Sequence, residues 1–283
     1  MLAGLEGLDH VVVTVRDLDA AAAQWRALGF TLSPRGTHSA HLGTANHTIM
    51  FGSDYVELLG VLADTALSAP SREFLARRGD GIERAAFTTR DAAAGVAALQ
   101  ARGIEASGPV EFSRPVELPD GRRGTAAFSV FHWPPAQRPA DLRLFACQHH
   151  SRDTVWIAAL QSHANTATGI VRLEIVTPRP ADAAAQLAGL IDTAAEAIAD
   201  GARVRTAPGR GELVFLTADA FRARHASLRD ARLADAGAAA WVCRVADLDA
   251  AARCAAPHGS RSAGTVTVAA DRANGVALVF EAA

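Results

Sequence analysis

The sequence predicts an α+β chain in which one unit, strand–helix–strand–strand–strand, is used four times. Three observations carry this. An alternating apolar strand followed by an Asp-capped, glycine-stopped helix opens the chain at residues 8–30, "LDHVVVTVRDLDAAAAQWRALGF". The same grammar returns at residues 81–104, 169–191 and 239–256. Strand-like runs fill the intervals, giving a repeat of about 70 residues, too long for a solenoid.

In the first unit His10, Val12 and Thr14 fall on one strand face and Val11, Val13 and Val15 on the other. Asp17 is placed to cap the helix and Gly29 to end it. Strands are expected at 30–36 (FTLSPRG), 47–52 (HTIMFG) and 54–61 (DYVELLGV). In the second unit Asp91 caps and Gly103 stops. Strands follow at 109–118, 125–133 and 142–148, with Asp120-Gly121 as a hairpin turn. In the third unit Pro180 suits a first helical turn, and a further helix at 217–234 reads as an insertion. In the fourth, Asp247 stands where Asp17 stood. The expected organisation is a paired N-terminal half at 1–150, a connector at 151–167 holding a helical turn or two, and a C-terminal half at 168–283.

Composition narrows the function classes. A chain of 283 residues suggests two domains, and 49% hydrophobic with 20% charged residues is ordinary for a globular protein. The net charge of −2, with both signs scattered, gives no case for nucleic acid or an anionic membrane. No run approaches the ~20 apolar residues of a membrane span, and the N-terminus has none of the parts of a signal peptide. Cys147, Cys243 and Cys254 are too few and too irregular for a disulfide framework, so a reducing, cytoplasmic setting is expected.

The repeat, the "LDHVVVTVRDLD" opening and the "GTANHTIMFGSDYVELLGV" close of the first unit resemble the vicinal-oxygen-chelate superfamily of glyoxalase I, extradiol dioxygenases and bleomycin-resistance proteins. Residues 144–170 further resemble its glyoxalase-like subgroup. The resemblance implies four βαβββ modules paired into two half-barrels, with helices outside and a cavity inside each curved sheet. It also implies that His10 and Glu57 stand where the superfamily places metal ligands, in the first and last strands of a module. One divalent cation (zinc, iron, manganese or nickel) would suit an imidazole and a carboxylate aimed into one cavity.

The second module departs from that pattern. Arg84 falls at the histidine position, and Leu144, or Phe145 if the register slips by one, falls opposite Glu57. Arg84 is a permanent cation that can pair with Glu57 where a metal would lie, or clamp an anionic substrate group. Arg172 and Ala240 fall at the histidine position of modules three and four, Val279 falls near the carboxylate position, and Glu281 lies two residues late. Those modules keep no polar pair, so their cavity is expected to be filled or structural.

Other residues are weaker candidates. His38 and His41 diverge if both lie on a strand, as do His149 and His150, although one of the latter pair can lean into the first cavity. His132 is expected at a rim, and His10 or Glu57 can each be a satisfied core group. Gly43 to Asn46 reads as a turn, with Asn46 as a secondary candidate for binding substrate. Cys147 and the tryptophans Trp133, Trp156 and Trp241 read as packing residues. The 208–212 stretch is no phosphate loop, and there is no G-x-S-x-G elbow.

Two functions remain open. One is a lyase, isomerase or dioxygenase-type enzyme on a small oxygen-rich molecule, with His10 and Glu57 catalytic or metal-binding and Arg84, His149, His150 and Asn46 on the substrate. The other is a metal-free small-molecule binding or sequestering protein. The expected partner is a small molecule, with a homodimer as the base-rate expectation.

Overall fold

The helices start and stop as the sequence expects. The Asp17 carboxylate accepts from the Ala20 N–H at 2.9 Å and the Asp91 carboxylate from Ala94 at 2.9 Å, while Asp247 caps the last helix in the same way. Gly29 and Gly103, with φ of 86° and 72°, take the left-handed conformation that ends the first two.

The computed structural model of the chain describes residues 1–118 and 121–283. The first module comprises β1 (Leu5–Val15), α1 (Leu18–Ala27), β2 (Gly36–Thr37), β3 (Thr44–Met50) and β4 (Tyr55–Val61). After α2 (Ala69–Arg78) come β5 (Gly81–Thr89), α3 (Ala92–Ala101), β6 (Ser107–Glu117), β7 (Arg123–His132) and β8 (Arg143–His149). Two single helical turns, Arg152–Thr154 and Ala158–Leu160, occupy the connector. The second half holds β9 (Ala167–Val176), α4 (Pro180–Ile191), β10 (Ala195–Ile198), β11 (Gly201–Val204) and β12 (Glu212–Leu216). Then follow α5 (Ala218–Arg224), β13 (Gly237–Val245), α6 (Leu248–Ala255), β14 (Gly259–Ser262), β15 (Thr265–Val268) and β16 (Ala277–Ala282).

Each half is one eight-stranded sheet, in the order β2-β3-β4-β1-β5-β8-β7-β6 and β10-β11-β12-β9-β13-β16-β15-β14. Two modules therefore join side by side through their first strands, β1 with β5 and β9 with β13, as the α+β reading requires. All four first strands carry a β-bulge at one equivalent place. In β1, Leu8 and His10 face the consecutive residues Phe87 and Ala86, which leaves Asp9 as the extra residue. In β5 the extra residue is Glu83, between Ile82 and Arg84. In β9 and β13 it is Val171 and Ala239. A bulge adds one residue to one strand and re-aims the side chains around it.

Several local expectations are corrected. Of the run 30–36 only Gly36 is strand, the first residue of Gly36–Thr37, because Pro34 cannot donate to a ladder. Helix α2 was not anticipated: only Ser71, Phe74 and Leu75 of its ten residues are buried, too few for an apolar stripe. Helix α5 occupies the corresponding place between modules three and four, so it is a counterpart of α2 rather than an insertion. The Asp120-Gly121 turn lies partly outside the described residues. Among those residues no helix is long and apolar enough to cross a membrane.

The convex, helix-bearing sides of the two sheets meet in one core. Trp25 of α1, fully buried, stacks on Trp241 of β13 at 5.7 Å and donates from Nε1 to Asn274 at 2.9 Å. Phe30 packs on Phe280 at 5.9 Å, and the Trp133 indole donates to the Leu190 carbonyl at 3.1 Å. Trp25→Ala is expected to cost about 3–5 kcal/mol and to lower the urea midpoint of both halves together. Two separated unfolding transitions would contradict a shared core.

The two concave faces open away from each other. In the C-terminal half that face is filled. Phe221 and Leu228, from α5 and the turn after it, pack onto Val176, Val214, Leu216, Ala240 and Ala277. The expectation that modules three and four keep no polar pair is also corrected. Glu174, fully buried, accepts from Arg172 Nε at 2.7 Å, from Arg224 at 2.9 Å and from His225. Arg172 also reaches Glu281 at 2.8 Å. Arg172 holds the place of His10, and Glu174, two residues on, stands at the place of Val12.

Candidate functional site

In the N-terminal half the concave face encloses a cavity of about 270 Å³, lined by residues including His10, Asn46, Glu57, Arg84, Arg114 and Phe145. Strand register explains the floor. Val12 pairs with Glu57 on one side and Arg84 on the other, and Arg84 pairs with Arg143. One row across β4, β1, β5 and β8 thus reads Glu57, Val12, Arg84, Arg143. The next row reads Tyr55, His10, Ala86, Phe145. Phe145, not Leu144, occupies the second carboxylate position; Leu144 belongs to the convex core.

The bulges place a buried acid behind each module's first polar side chain. Asp9, fully buried, accepts from His10 Nδ1 at 2.7 Å, from His149 Nε2 at 3.0 Å and from the Thr88 hydroxyl at 2.7 Å. Glu83, 1% exposed, accepts from the Thr14 hydroxyl at 2.6 Å, from Ser71 at 2.9 Å and from Arg84 at 3.2 Å, and it pairs with Arg143. Thr14 and Thr88 are equivalent residues of the two modules, and each serves the acid of the other. The two half-sites have the same frame with different heads, an imidazole in one and a guanidinium in the other.

Burial would raise the Asp9 carboxyl, but His149 and His10 outweigh it and hold it well below the usual carboxylate range. An ionised Asp9 only accepts, so His10 donates to it through Nδ1 and turns Nε2 to the cavity, the nitrogen that carries the lone pair in a neutral imidazole. That Nε2 lies 3.8 Å from Glu57 Oε2 and 3.5 Å from the Tyr55 hydroxyl, and the imidazole stacks on the Tyr55 ring at 4.2 Å. Glu57 would likewise be pushed up by burial. His10, His38, a 2.6 Å hydrogen bond from Asn46 Nδ2 and Arg84 instead hold it low, so it is ionised at neutral pH.

Arg84 does not pair with Glu57. Val12 stands between them, two strand spacings or ~10 Å of sheet, and Arg84 donates to Ser71 at 2.6 Å as well as to Glu83. Its Nε is buried without a partner. Asn46 lies on β3 rather than in a turn, since only Gly43 takes the left-handed turn conformation, with φ of 63°. His149 lies behind the cavity: bonded to Asp9, packed on Trp156 at 4.9 Å, its Nδ1 buried and unpartnered. His150 is directed outward, bonded to Ser129 and with its side chain 40% exposed. His38 and His132 line the cavity, whereas His41 sits on an exposed helical turn. Burial first, then Arg84 and Arg143, holds the His132 imidazole at about 4.

The residues present do not complete a metal site. The 3.8 Å between His10 Nε2 and Glu57 Oε2 would admit a shared ion, but catalytic zinc takes three protein ligands, and the second module offers Arg84 and Phe145 instead. Among the described residues the one cluster of three candidate ligand groups is Asp9, Cys147 and His149. There Asp9 is already saturated by three donors, and burial pushes the Cys147 thiol up, away from the thiolate a metal needs.

Comparison with known proteins agrees with this architecture. A family profile described as a glyoxalase-like domain matches residues 8–191. The chain belongs to this glyoxalase-like family. It is thereby a member of the vicinal-oxygen-chelate superfamily. A hypothetical protein from Staphylococcus aureus has the same fold over 98% of this chain and 99% of its own, with 13% identity and a TM-score of 0.72. Methylmalonyl-CoA epimerase from Mycobacterium tuberculosis aligns over 52% of this chain and 92% of its own, with 22% identity and a TM-score of 0.40. A Streptomyces coelicolor methylmalonyl-CoA epimerase in complex with 2-nitronate-propionyl-CoA aligns over 52% and 99%, with 21% identity and a TM-score of 0.40. No curated protein matches the chain in sequence.

The sequence reading of this glyoxalase-like protein passed over Asp9, Glu83 and Arg114. The first two had a signal: an acid directly before the polar head and a threonine four residues after that head, in "DHVVVT" and "ERAAFT". Glu83 and Glu174 also make acid stability predictable. Burial opposes it, but the cations around them (Arg84 and Arg143; His225 and Arg172) bring each carboxyl from 4.5 down to about 2. A lowered folded pKa gives stability that is complete above 4.5 and lost as pH falls toward 2. The melting temperature is therefore expected to drop steeply between those values, with on the order of 3 kcal/mol from Glu83. Glu83→Gln should flatten that drop, and an unchanged pH slope would refute the assignment.

Proposed function

We propose that residues 1–150 form a proton-transfer enzyme of the isomerase or lyase type, acting on a small oxygen-bearing organic anion, and that residues 168–283 support it structurally. The observation that carries this is His10, oriented by buried Asp9 through Nδ1 so that Nε2 faces the cavity, 3.8 Å from the Glu57 carboxylate. That gap is too long for a hydrogen bond and the Tyr55 hydroxyl makes only a long 3.5 Å contact, so a substrate proton can compete for Nε2. A C–H beside a carbonyl gives its proton to Nε2 while the electron pair moves onto the carbonyl oxygen. Glu57 stabilises the imidazolium so formed, and Arg84, through its unpartnered Nε, receives the substrate's negative charge. His10 and Glu57 are the catalytic pair in this reading, with Asp9 and His149 as positioning residues.

Small 2-oxo and 2-hydroxy acids incubated with the protein in D₂O, followed by proton NMR, test it. Protein-dependent loss of a C–H signal is the expected result. Acids that raise the melting temperature yet exchange no faster with protein than without would overturn the enzyme. They would favour the second reading, a binding protein, which the apolar Phe145 at the second carboxylate position supports.

A further inference from the structure

Strand β6 lies at the far edge of the first sheet, and its side chains close the cavity against β2. The Ser39 hydroxyl donates to the Ser113 carbonyl at 3.3 Å across this seam. The next residue, Arg114, is 8% exposed and lines the cavity. Its guanidinium comes so close to β2 that a Cβ on Gly36 would stand 2.9 Å from its Nη1 and 2.6 Å from Asn46 Oδ1. Among the described residues no carboxylate oxygen lies within 4.0 Å of Arg114 and none of its nitrogens has a hydrogen-bond partner. Asn46 Oδ1 beside it is buried and unpartnered as well.

A buried cation without a directly bonded counter-ion is costly, and of the four arginines that line the cavity two have one. Arg84 and Arg143 share Glu83. Arg138, only half-buried, rests on the Pro135 carbonyl, and Arg114 is the deeply buried guanidinium with no anion bonded to it, the Glu57 charge acting on it only from a distance. It enters from the β2–β3 side of Glu57, whereas Arg84 stands on the β5 side. Both fields reach His38, which lies in the same cavity. Two guanidiniums with unmet donors therefore flank the His10–Glu57 pair.

We infer that the cavity takes a short diacid, with one carboxylate on Arg84 and the second on Arg114, so that the reacting carbon lies between them at His10. This rests on the proposed acid–base site for the first carboxylate, but the second station stands on Arg114 and its seam alone. A carboxylate matches the planar guanidinium fork. A phosphate would match it less selectively, which the test separates. Asn46 Oδ1 can accept the hydrogen of a hydroxyl or of a protonated acid beside the second carboxylate.

Calorimetric titration with succinate, 2-oxoglutarate, butyrate and inorganic phosphate tests the assignment. The diacids are expected to bind at least tenfold more tightly than butyrate. Arg114→Gln should abolish that preference and leave butyrate binding within about twofold, and Arg114→Lys should restore part of it. Equal affinity for mono- and diacids, or a preference that survives Arg114→Gln in a variant of wild-type melting temperature, would overturn the inference. Phosphate binding as tightly as succinate would overturn the diacid in favour of a phosphorylated substrate. His10→Gln serves as the separate control. Diacid binding retained in that variant, with no proton exchange by the wild type, would sink the enzyme reading and leave the Arg114 station standing.

Discussion

His10→Gln is expected to slow substrate proton exchange by about 10²–10⁴-fold, the usual contribution of a positioned acid–base group. Binding should stay within about twofold. Gln can still donate to Asp9 and fill most of the space over the Tyr55 ring, where the imidazole stacks at 4.2 Å. Only the basic lone pair at the Nε2 position disappears. The readout is the exchange rate at saturating acid beside the dissociation constant from calorimetry. A rate loss below about threefold would remove His10 as the base, whatever the effect on affinity. Glu57→Gln offers a contrast. It keeps an acceptor for Asn46 Nδ2 but deletes the charge that favours the imidazolium, so its smaller loss should fall on the rate and not on binding.

Asp9→Asn is expected to cost about 2–5 kcal/mol of stability together with a rate loss on the order of 10²-fold or more. The carboxylate is fully buried and takes three hydrogen bonds, two of them from imidazoles. An amide oxygen can still accept from both imidazoles while its NH2 faces the Thr88 hydroxyl, but the negative charge that compels both rings to donate toward this position is gone. The His10 ring is then free to take the other tautomer, with its proton on the cavity side and no base there. Asp9 also follows the linkage sign of a depressed carboxyl, giving stability that is intact across neutral pH and lost only in strong acid. The test is a lower urea midpoint with an unchanged m-value, measured beside the exchange rate. Thr88→Val is the comparison. It removes the Asp9 hydrogen bond that involves neither imidazole, so it should cost about 1 kcal/mol and leave the rate nearly unchanged. Equal rate losses in the two variants would reduce Asp9 to a structural role.

The two experiments bear on different claims. The first asks whether the imidazole does chemistry, and the second whether the acid behind it sets the tautomer. The filled C-terminal concave face provides an internal control. There the bulge positions hold Val171 and Ala239, and no acid stands behind a polar head. Its one buried carboxylate, Glu174, is saturated by its own cations and His225. No proton-transfer role is expected of that half, and Glu174→Gln should lower stability while leaving the exchange rate as it is.

Local chemistry was enough to determine the modules, their caps at Asp17, Asp91 and Asp247, their glycine stops, and the shared face of His10, Val12 and Thr14. Each of these depends on residues within one turn of helix or on the two-residue period of a strand. What the chain alone did not decide was set by strand pairing and sheet closure. A bulge breaks the two-residue period, so Asp9 and Glu83, which strict alternation would send to the convex core, arrive behind the site. Register between distant strands put Phe145 rather than Leu144 on the cavity floor, and placed Val12 between Glu57 and Arg84. Arg114 reached the cavity because the edge strand β6 closes against β2. Those are contacts between segments far apart in sequence, whose parity and distance are fixed only once the sheet has formed.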